Sequence, residues 1–287
     1  MKRPTLRRRR LAAALHKIRE DAGLTLAQAA EGAGFSTSKL SRVESLQIGI
    51  TGDDTRTFCE ALGVNEQVTA ALAELARQGR RRGWWHVYSD DVLGKFVDFI
   101  ELETDARSVG EFESDVIPGI LQTEAYAEAI MRHGLPEADE EIIKQRCALR
   151  MERQDRLEDA DLTFWTVIDE AILRRPLGGH ATMVDQLDRL LRIAARPRMT
   201  VQVMPMDVSG HAALGVPFTL IELRDGTSYV YLDSLTGGAF MEEDVDVRAY
   251  RAAWSRLQAM ALDFDRSTRL IRSIAAEHRS NADGEPH

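Results

Sequence analysis

The stretch GLTLAQAAEGAGFSTSKLSRVE, residues 23–44, decides how the N-terminal part of this chain folds. Thr25 followed three residues later by Gln28 is a capping box, in which the threonine hydroxyl takes an orphan amide of a starting helix and the glutamine side chain reaches back. Small residues Ala27, Ala29, Ala30 and Ala33 let a neighbouring helix come close, and Gly32 or Gly34 supplies the turn that follows. Ser36 reads as the N-cap of a second short helix through Val43, with Leu40 and Val43 facing inward beside Phe35. The spacing predicts two helices joined at a tight corner.

The outward residues of that second helix, Thr37, Ser38, Lys39, Ser41 and Arg42, are short hydroxyls plus two cations. A helix so equipped can lie in a DNA major groove and offer donors to base edges and phosphates. The same pattern also describes the solvated face of an ordinary surface helix. Upstream, Leu11, Leu15, Ile18 and Ala22 form the buried stripe of a helix from about Arg7 to Ala22, which Gly23 ends. Arg7, Arg8, Arg9 and Arg10 stand at its start, where cations oppose the helix dipole. DNA phosphates or a minor-groove arm would compensate them, or water alone. The candidate DNA-contacting set is therefore Arg7, Arg8, Arg9, Arg10, Gln28, Ser36, Thr37, Ser38, Lys39, Ser41 and Arg42.

At 287 residues the chain is long enough for two domains that each bury a core. Its 44% hydrophobic and 29% charged residues suit a globular protein rather than a disordered one. The net charge of −9 argues against a nucleic-acid partner only as an average. Residues 1–82 carry 15 Lys+Arg against 9 Asp+Glu, and the remainder 22 against 37, as a basic reading head on an acidic body would. No apolar run reaches membrane-spanning length and the basic start leads into no signal core, so the expected location is the cytoplasm, at the nucleoid. Cys59 and Cys147 have no His or Cys at metal-ligand spacing. Neither a metal site nor a disulfide framework is expected, and both thiols read as structural.

The N-terminal helical pattern ends at Arg77-Gln78-Gly79-Arg80-Arg81-Arg82-Gly83. This predicts a helical domain over 1–82, a second domain over 83–279 and a disordered tail over 280–287. In the second domain helical stretches alternate with strand-like runs at Arg107–Glu113, Leu162–Ile168, Thr200–Met204, Phe218–Leu223 and Tyr229–Asp233. The helical pattern Thr182–Ala195 between two of them predicts a right-handed βαβ crossover, and Arg224-Asp225-Gly226-Thr227 a hairpin. Tyr250, Trp254, Leu257 and Ala261 recur at helical spacing, giving an amphipathic helix to pack on the sheet. The fold class is thus an all-α N-terminal domain followed by a mixed α/β domain with a small sheet flanked by helices.

Three features of the second domain invite a functional reading. Trp84-Trp85 could anchor an interface, or be buried in that domain's first helix. Ile117-Pro118-Gly119-Ile120-Leu121-Gln122-Thr123 is a turn whose glycine could admit a backbone or a ligand. Asp169-Glu170 with Arg174-Arg175 and, further on, His211 could line a pocket at a strand's end, or form structural ion pairs. No Gly-x-Ser-x-Gly elbow, phosphate-binding Gly-rich loop or metal-ligand spacing is present, and Ala213 stands where a His-x-Lys phosphodiesterase would need lysine. No enzyme and no cofactor are expected. The alternatives are a hydrolase using His211 or the Asp169-Glu170 pair, and an interaction adaptor that does not use its helical corner on DNA.

Leu6 to Arg77 also resembles the phage-repressor-like (XRE-type) helix-turn-helix family. The pattern is visible in Leu15, Arg19, Gly23-Leu24-Thr25, Ala30, Gly34, Ser38 and Leu40-Ser41-Arg42-Val43-Glu44. The resemblance implies a five-helix domain that binds an inverted-repeat operator in double-stranded DNA as a dimer, its third helix reading the groove. It also implies an Arg19–Glu44 pair across helices one and three. One departure is Leu46, where the family usually has glycine.

Trp84 to about Ser273 resembles the C-terminal domain of actinobacterial regulators. The marks are Trp84-Trp85-His86, Ile117 to Thr123, Arg150 with Arg153-Gln154, Asp169 to Pro176, Gly178-Gly179, Val201 to Pro205, Pro217-Phe218, Val230-Tyr231 and Leu235-Thr236-Gly237. That likeness implies an antitoxin-like transcriptional regulator paired with a small companion protein; the leading expectation is a homodimer whose second domain senses a ligand or that companion. No membrane partner is implied.

Overall fold

The computed structural model describes residues 5–79, 83–234 and 237–284. They divide into one unit ending at Val87 and a second beginning at Tyr88. The basic cluster Arg80 to Arg82, and Leu235-Thr236 of the quoted motif, lie outside the described residues.

The first unit is five helices: α1 (Leu6–Asp21), α2 (Leu26–Gly32), α3 (Thr37–Glu44), α4 (Gly52–Ala61) and α5 (Glu66–Gln78). Each starts on a side-chain cap, from Thr5, Thr25, Ser36, Thr51 and Asn65 in turn. These oxygens accept amide hydrogens that the first turn cannot satisfy internally. The predicted capping box is complete, with the Thr25 amide donating to Gln28 Oε1 at 3.0 Å and the Gln28 amide to Thr25 Oγ1 at 3.3 Å. The core gathers Leu11 and Leu15 of α1, Ala29 and Ala30 of α2, Leu40 and Val43 of α3, and Phe58 of α4. Alanine on α2 is what lets α3 lie close against it.

Trp84 and Trp85 form a short 3₁₀ turn, Trp84–Val87, the last element of the first unit. The Trp85 ring folds back over Gly83, where a Cβ would meet the ring at 2.3 Å, so the chain turns on itself before the new domain begins. Trp85 is buried, and the two indoles meet edge to face at 5.8 Å.

The second unit runs α6 (Asp90–Leu93), α7 (Val97–Asp105), β1 (Ala106–Glu113), α8 (Glu124–Gly134), α9 (Glu140–Glu152), β2 (Thr163–Asp169), α10 (Glu170–Arg174), α11 (His180–Ala194), β3 (Met199–Met204), β4 (Phe218–Leu223), β5 (Ser228–Leu232), β6 (Ala239–Met241), α12 (Asp244–Met260) and α13 (Phe264–Gly284). The strands form one mixed sheet of order β3-β2-β1-β4-β5-β6. β1, β2 and β3 are parallel, so two crossovers exist, the predicted one through α10 and α11 and another through α8 and α9. β4, β5 and β6 are antiparallel. The Asp-Gly turn joins β4 to β5, with Gly226 at φ +84° and Asp225 Oδ1 accepting the Thr227 amide at 2.9 Å. β6, three residues long, was not expected from the sequence.

The sheet's two faces differ. One packs on α12 through Leu257 and Trp254, and Gly110 is required there because a Cβ would lie 2.9 Å from the Trp254 ring. The other carries Glu111, Thr219 and Tyr231 in one row across β1, β4 and β5, beneath Phe99 of α7, whose ring lies 4.6 Å from that of Tyr231. The edge of β3 is covered, since Val203 accepts from the Leu262 amide and its own amide donates to Ser267 Oγ at 3.0 Å. The predicted disordered tail is a correction. α13 continues to Gly284, because burial of Ile271, Ile274, Ala275 and His278 fixes the helix and its last polar turns propagate from there. Residues 285–287 of that tail lie outside the described residues.

Candidate nucleic-acid interface and C-terminal cavity

Helix α3 is held from three sides, which leaves one side outward. Ser36 Oγ accepts the Lys39 amide at 3.1 Å, and Leu40 and Val43 are buried. At its C-terminal end Arg19 grips Glu44 with two hydrogen bonds, Nε to Oε1 at 2.8 Å and Nη2 to Oε2 at 3.0 Å, and donates a third to the Leu24 carbonyl at 3.0 Å. His16 stands 2.7 Å from the same carboxylate. Burial alone would raise the Glu44 carboxyl, but the hydrogen bonds from Arg19 and His16 outweigh it and hold the group below its ordinary range. This cluster ties α1 to α3 and fixes the angle of the outward face.

Thr37, Ser38, Ser41 and Arg42 are exposed on that face, and Arg42 Nε reaches only the Ser38 carbonyl, at 3.3 Å. Lys39 is placed differently. Its ammonium lies 2.9 Å from Asp54 of α4 and 4.0 Å above the Phe35 ring, so much of its charge is spent on joining α3 to α4. Gln28 is exposed, with its carbonyl oxygen turned into the capping box.

Of the four N-terminal arginines, Arg8 donates to the Leu46 carbonyl at 3.3 Å. Arg7, Arg9 and Arg10 are half-buried along α1, and each has a partner within the chain. The basic run is thus part of the first helix rather than a free arm over its described residues. Leu46 itself adopts φ +62°, closing α3 with the Gln47 amide on the Arg42 carbonyl at 2.8 Å. Gly23, Gly34 and Gly63 close α1, α2 and α4 in the same left-handed conformation. Leu46 thus takes the left-handed conformation that glycine takes at the other three helix ends.

In the second unit the acidic and basic residues singled out from the sequence are engaged in holding the fold. Asp169 Oδ1 caps α10 by accepting the Ala171 amide at 2.8 Å. Glu170 is buried, pairs with Arg174 at 2.7 Å and accepts the Met206 amide at 3.1 Å. Arg174 also reaches Glu277 at 2.8 Å, and Arg175 donates to the Asp115 carbonyl at 3.4 Å. His211 packs edge-on against Phe112 at 5.0 Å and accepts the Ala213 amide at 3.3 Å. The structure brings Glu170 and Arg174 together, and shows no shared hydrogen bond between His211 and any of them.

A cavity of about 420 Å³ opens instead at the carboxyl end of β1, where the sheet changes from parallel to antiparallel pairing. Crevices outside strand ends are where open α/β sheets bind ligands. Glu111 and Glu113, two apart on β1 and so on one face, line it with Asp233 and Tyr231 from the end of β5. Arg150 of α9 lines the opposite wall with Arg153, beside Gly119. Arg153 is buried and bound to Glu103 by two hydrogen bonds at 2.8 and 2.7 Å, its guanidinium 4.7 Å from the Phe96 ring. Arg150 donates to Gln122 Oε1 at 2.7 Å and forms no ion pair among the described residues. Its pKa is pulled down to about 10, by burial first and then by the Arg153 charge. The Glu111 carboxyl is pushed up to about 7, by burial and then by Glu103, and the Glu113 carboxyl well above its ordinary range, by burial and then by Glu111.

The turn Ile117 to Thr123 closes one end of this cavity at Gly119 and Gln122. Its carbonyls are held by buried amides, Gln122 Nε2 on Ile117 at 2.6 Å and Gln186 Nε2 on Leu121 at 3.0 Å. A Cβ at Gly119 would come within 3.4 Å of Arg153 Nη1, so glycine leaves room for the guanidinium groups.

Residues 96–273 match the family described as Domain of unknown function (DUF5753), more than half of the chain. This chain belongs to the DUF5753 family. Ahead of the DUF5753 region, residues 10–72 match the family described as Helix-turn-helix domain, which spans α2, α3 and most of the helices around them. The chain therefore carries a helix-turn-helix DNA-binding domain. Among curated proteins it is similar to Dicer-like protein 1 of Neosartorya fischeri, 24% identical over 193 residues. The match covers 64% of this chain and 12% of that protein, and carries no argument about function. No solved structure matches. Among the described residues no helix is long and apolar enough to cross a membrane, and no group of three His, Cys, Asp or Glu could hold a metal ion.

Sequence reasoning missed Glu111, Glu113, Arg150 and Asp233 as a group. The one signal available was the repeat of glutamate at alternate positions of β1. Alternation of that kind ordinarily marks a water-facing side, whereas here helices cover it.

Proposed function

We propose that this chain is a sequence-specific transcriptional regulator that binds an inverted-repeat operator as a homodimer. The observation that carries the reading is the rigidly held α3, whose exposed Thr37, Ser38, Ser41 and Arg42 form one uninterrupted donor-rich side within a matched helix-turn-helix domain. Such a side fits the major groove, and a two-fold dimer would set two of them roughly 34 Å apart. Arg42 is the principal base-reading or phosphate-contacting cation of the helix. Lys39 has a smaller share, because it already serves Asp54.

The DUF5753 domain is, on this reading, the part that dimerises and receives a signal, from a ligand or from a small companion protein in an antitoxin-like pair. The resemblance of its motifs to those of actinobacterial regulators supports the companion; the cavity beside β1 supports the ligand. The domain acts as a receptor rather than a hydrolase, a reading supported by the structural engagement of Asp169, Glu170, Arg174 and His211. The test is selection of bound duplexes from a random pool by the full chain. The expected result is an inverted repeat with half-sites about one helical turn apart. Enrichment of no sequence would overturn the proposal.

A further inference from the structure

We infer that the cavity at the carboxyl end of β1 is a receptor site for a small organic amine, whose ammonium group sits between Glu111 and Glu113 and whose apolar body lies against Phe96 and Phe218. The inference rests on the proposal that this domain receives a signal, and names the chemistry of that signal.

Three independent observations lead there. The first is the state of the acid pair. Glu111 is only 7% exposed and lines the cavity, yet among the described residues its carboxyl has no ion pair, and Glu113, two along the strand, brings a second carboxyl to the same face. Two carboxyl groups so placed, one of them buried, resist ionising together, so the pair retains a proton. Burial of an acid whose partner is another acid is costly, and natural cores avoid it unless something else occupies the site.

The second is the balance of charge. Glu113, Asp115 and Asp233 line the same space as Glu111, and Glu103 stands behind it. They face two guanidinium groups, and Arg153 is already satisfied by Glu103. The excess is acidic, so a cation is the complement. The aromatic walls favour an organic cation over a bare ion.

The third is shape and wall chemistry. At about 420 Å³ the cavity is of the size that takes small organic ligands. Phe96, Phe99, Phe218 and Tyr231 line it, and aromatic faces attract ammonium groups and cover apolar carbon alike. Arg150, with its one hydrogen bond to Gln122, stands at the far wall and leaves room there for an acceptor on the ligand.

Binding then displaces the proton held by the pair. The groups facing Glu111 and Glu113 are Glu103 on α7, Arg153 beyond α9, Asp115 after β1, and Asp233 and Tyr231 of β5, with Arg150 on α9. Neither arginine changes charge near neutrality, so the linked proton belongs to the acid pair. Affinity for an amine should rise with pH by up to about tenfold per unit below about pH 7 and level off above it.

The experiment titrates the full chain with phenethylamine and tryptamine, followed by calorimetry and thermal denaturation. Phenethyl alcohol and phenylacetate serve as neutral and anionic controls of similar shape. The amines should raise the melting temperature of the second unit and bind more tightly at the higher pH, whereas the controls should do neither. The double variant Glu111→Gln, Glu113→Gln should keep its fold by circular dichroism and lose at least about tenfold in amine affinity. No shift with either amine, an equal shift with the alcohol or the acid, or undiminished affinity in the folded double variant would each overturn the inference. Operator binding by the same preparation without amine is measured separately. DNA binding with no amine response defeats the amine site alone, whereas amine binding with no DNA preference defeats the regulator reading alone.

Discussion

The two units use arginine–glutamate pairs in opposite ways. In the first, Arg19 and Glu44 meet near the surface, at about a tenth exposed, and serve to aim a helix whose working residues all point outward. In the second, Arg153 and Glu103 are some 5% exposed and stand beneath a cavity whose working residues all point inward. On the proposed reading the difference teaches where each unit meets its partner: one presents a convex rod to a groove, the other encloses space. It also predicts how each responds when its pair is broken, since a fully buried pair strands a charge that a partly buried pair can in part give back to water.

The largest effect should therefore come from Arg153→Ala. Leaving Glu103 buried without its partner should destabilise the second unit by about 3–5 kcal/mol in denaturant titration, against about 1–2 kcal/mol in the first unit for Arg19→Ala. Equal costs would erase the contrast between the pairs.

Next in size is the response to pH. Glu111 is held at about 7 when folded and would return to its ordinary value near 4.5 on unfolding. Between those values the folded state binds the extra proton, so stability is fully present at low pH and is lost as pH rises through about 7. The ceiling of the effect is about 3 kcal/mol. The second unit should gain stability on acidification from about pH 7.5 to pH 5, and Glu111→Gln should flatten that slope. In the first unit Glu44, held low by Arg19 and His16, moves the other way: its contribution is lost as pH falls below the usual carboxylate range. A second unit that instead loses stability over this range would show that the acid pair is not protonated.

On the DNA face, Arg42→Ala should weaken operator binding by about 1–3 kcal/mol with the fold intact. Lys39→Ala should weaken it less and should also loosen α3 from α4, by about 0.5–1 kcal/mol, an amount absent when Asp54 is already alanine. Binding losses in the reverse order would mean that Lys39 leaves Asp54 when DNA arrives. The smallest effect is at Leu46, held at φ +62°. Leu46→Gly should stabilise the first unit by up to about 1 kcal/mol, offset by the contact its half-buried side chain gives up.

How much of this could be read from the sequence divides along the same line. The first unit was legible because its signals are local: Thr25 with Gln28, Ser36, and the glycines that close helices each act within four residues. Strands β1 to β5 and the Asp-Gly hairpin were legible for the same reason. The parallel pairing of β1 with β2 depends on residues more than fifty apart and has no local mark. Neither has the covering of β1 by α7, which turns Glu111 from an apparently wet position into a buried one. β6 is too short to show a period, and the polar end of α13 is helical only because its apolar half is anchored. The turn from Ile117 to Thr123 lay between these cases. Its glycine was visible, but not the guanidinium groups beside it.

The most direct test of the central claim is the salt dependence of binding by the full chain to its selected operator and to random duplex of equal length. If α3 enters the groove, the operator should win by at least about a thousandfold at moderate salt, affinity should fall steeply as salt rises, and Arg42→Ala should make that fall shallower. Equal affinity for both duplexes, or an Arg42→Ala curve superimposed on that of the wild type, would contradict it.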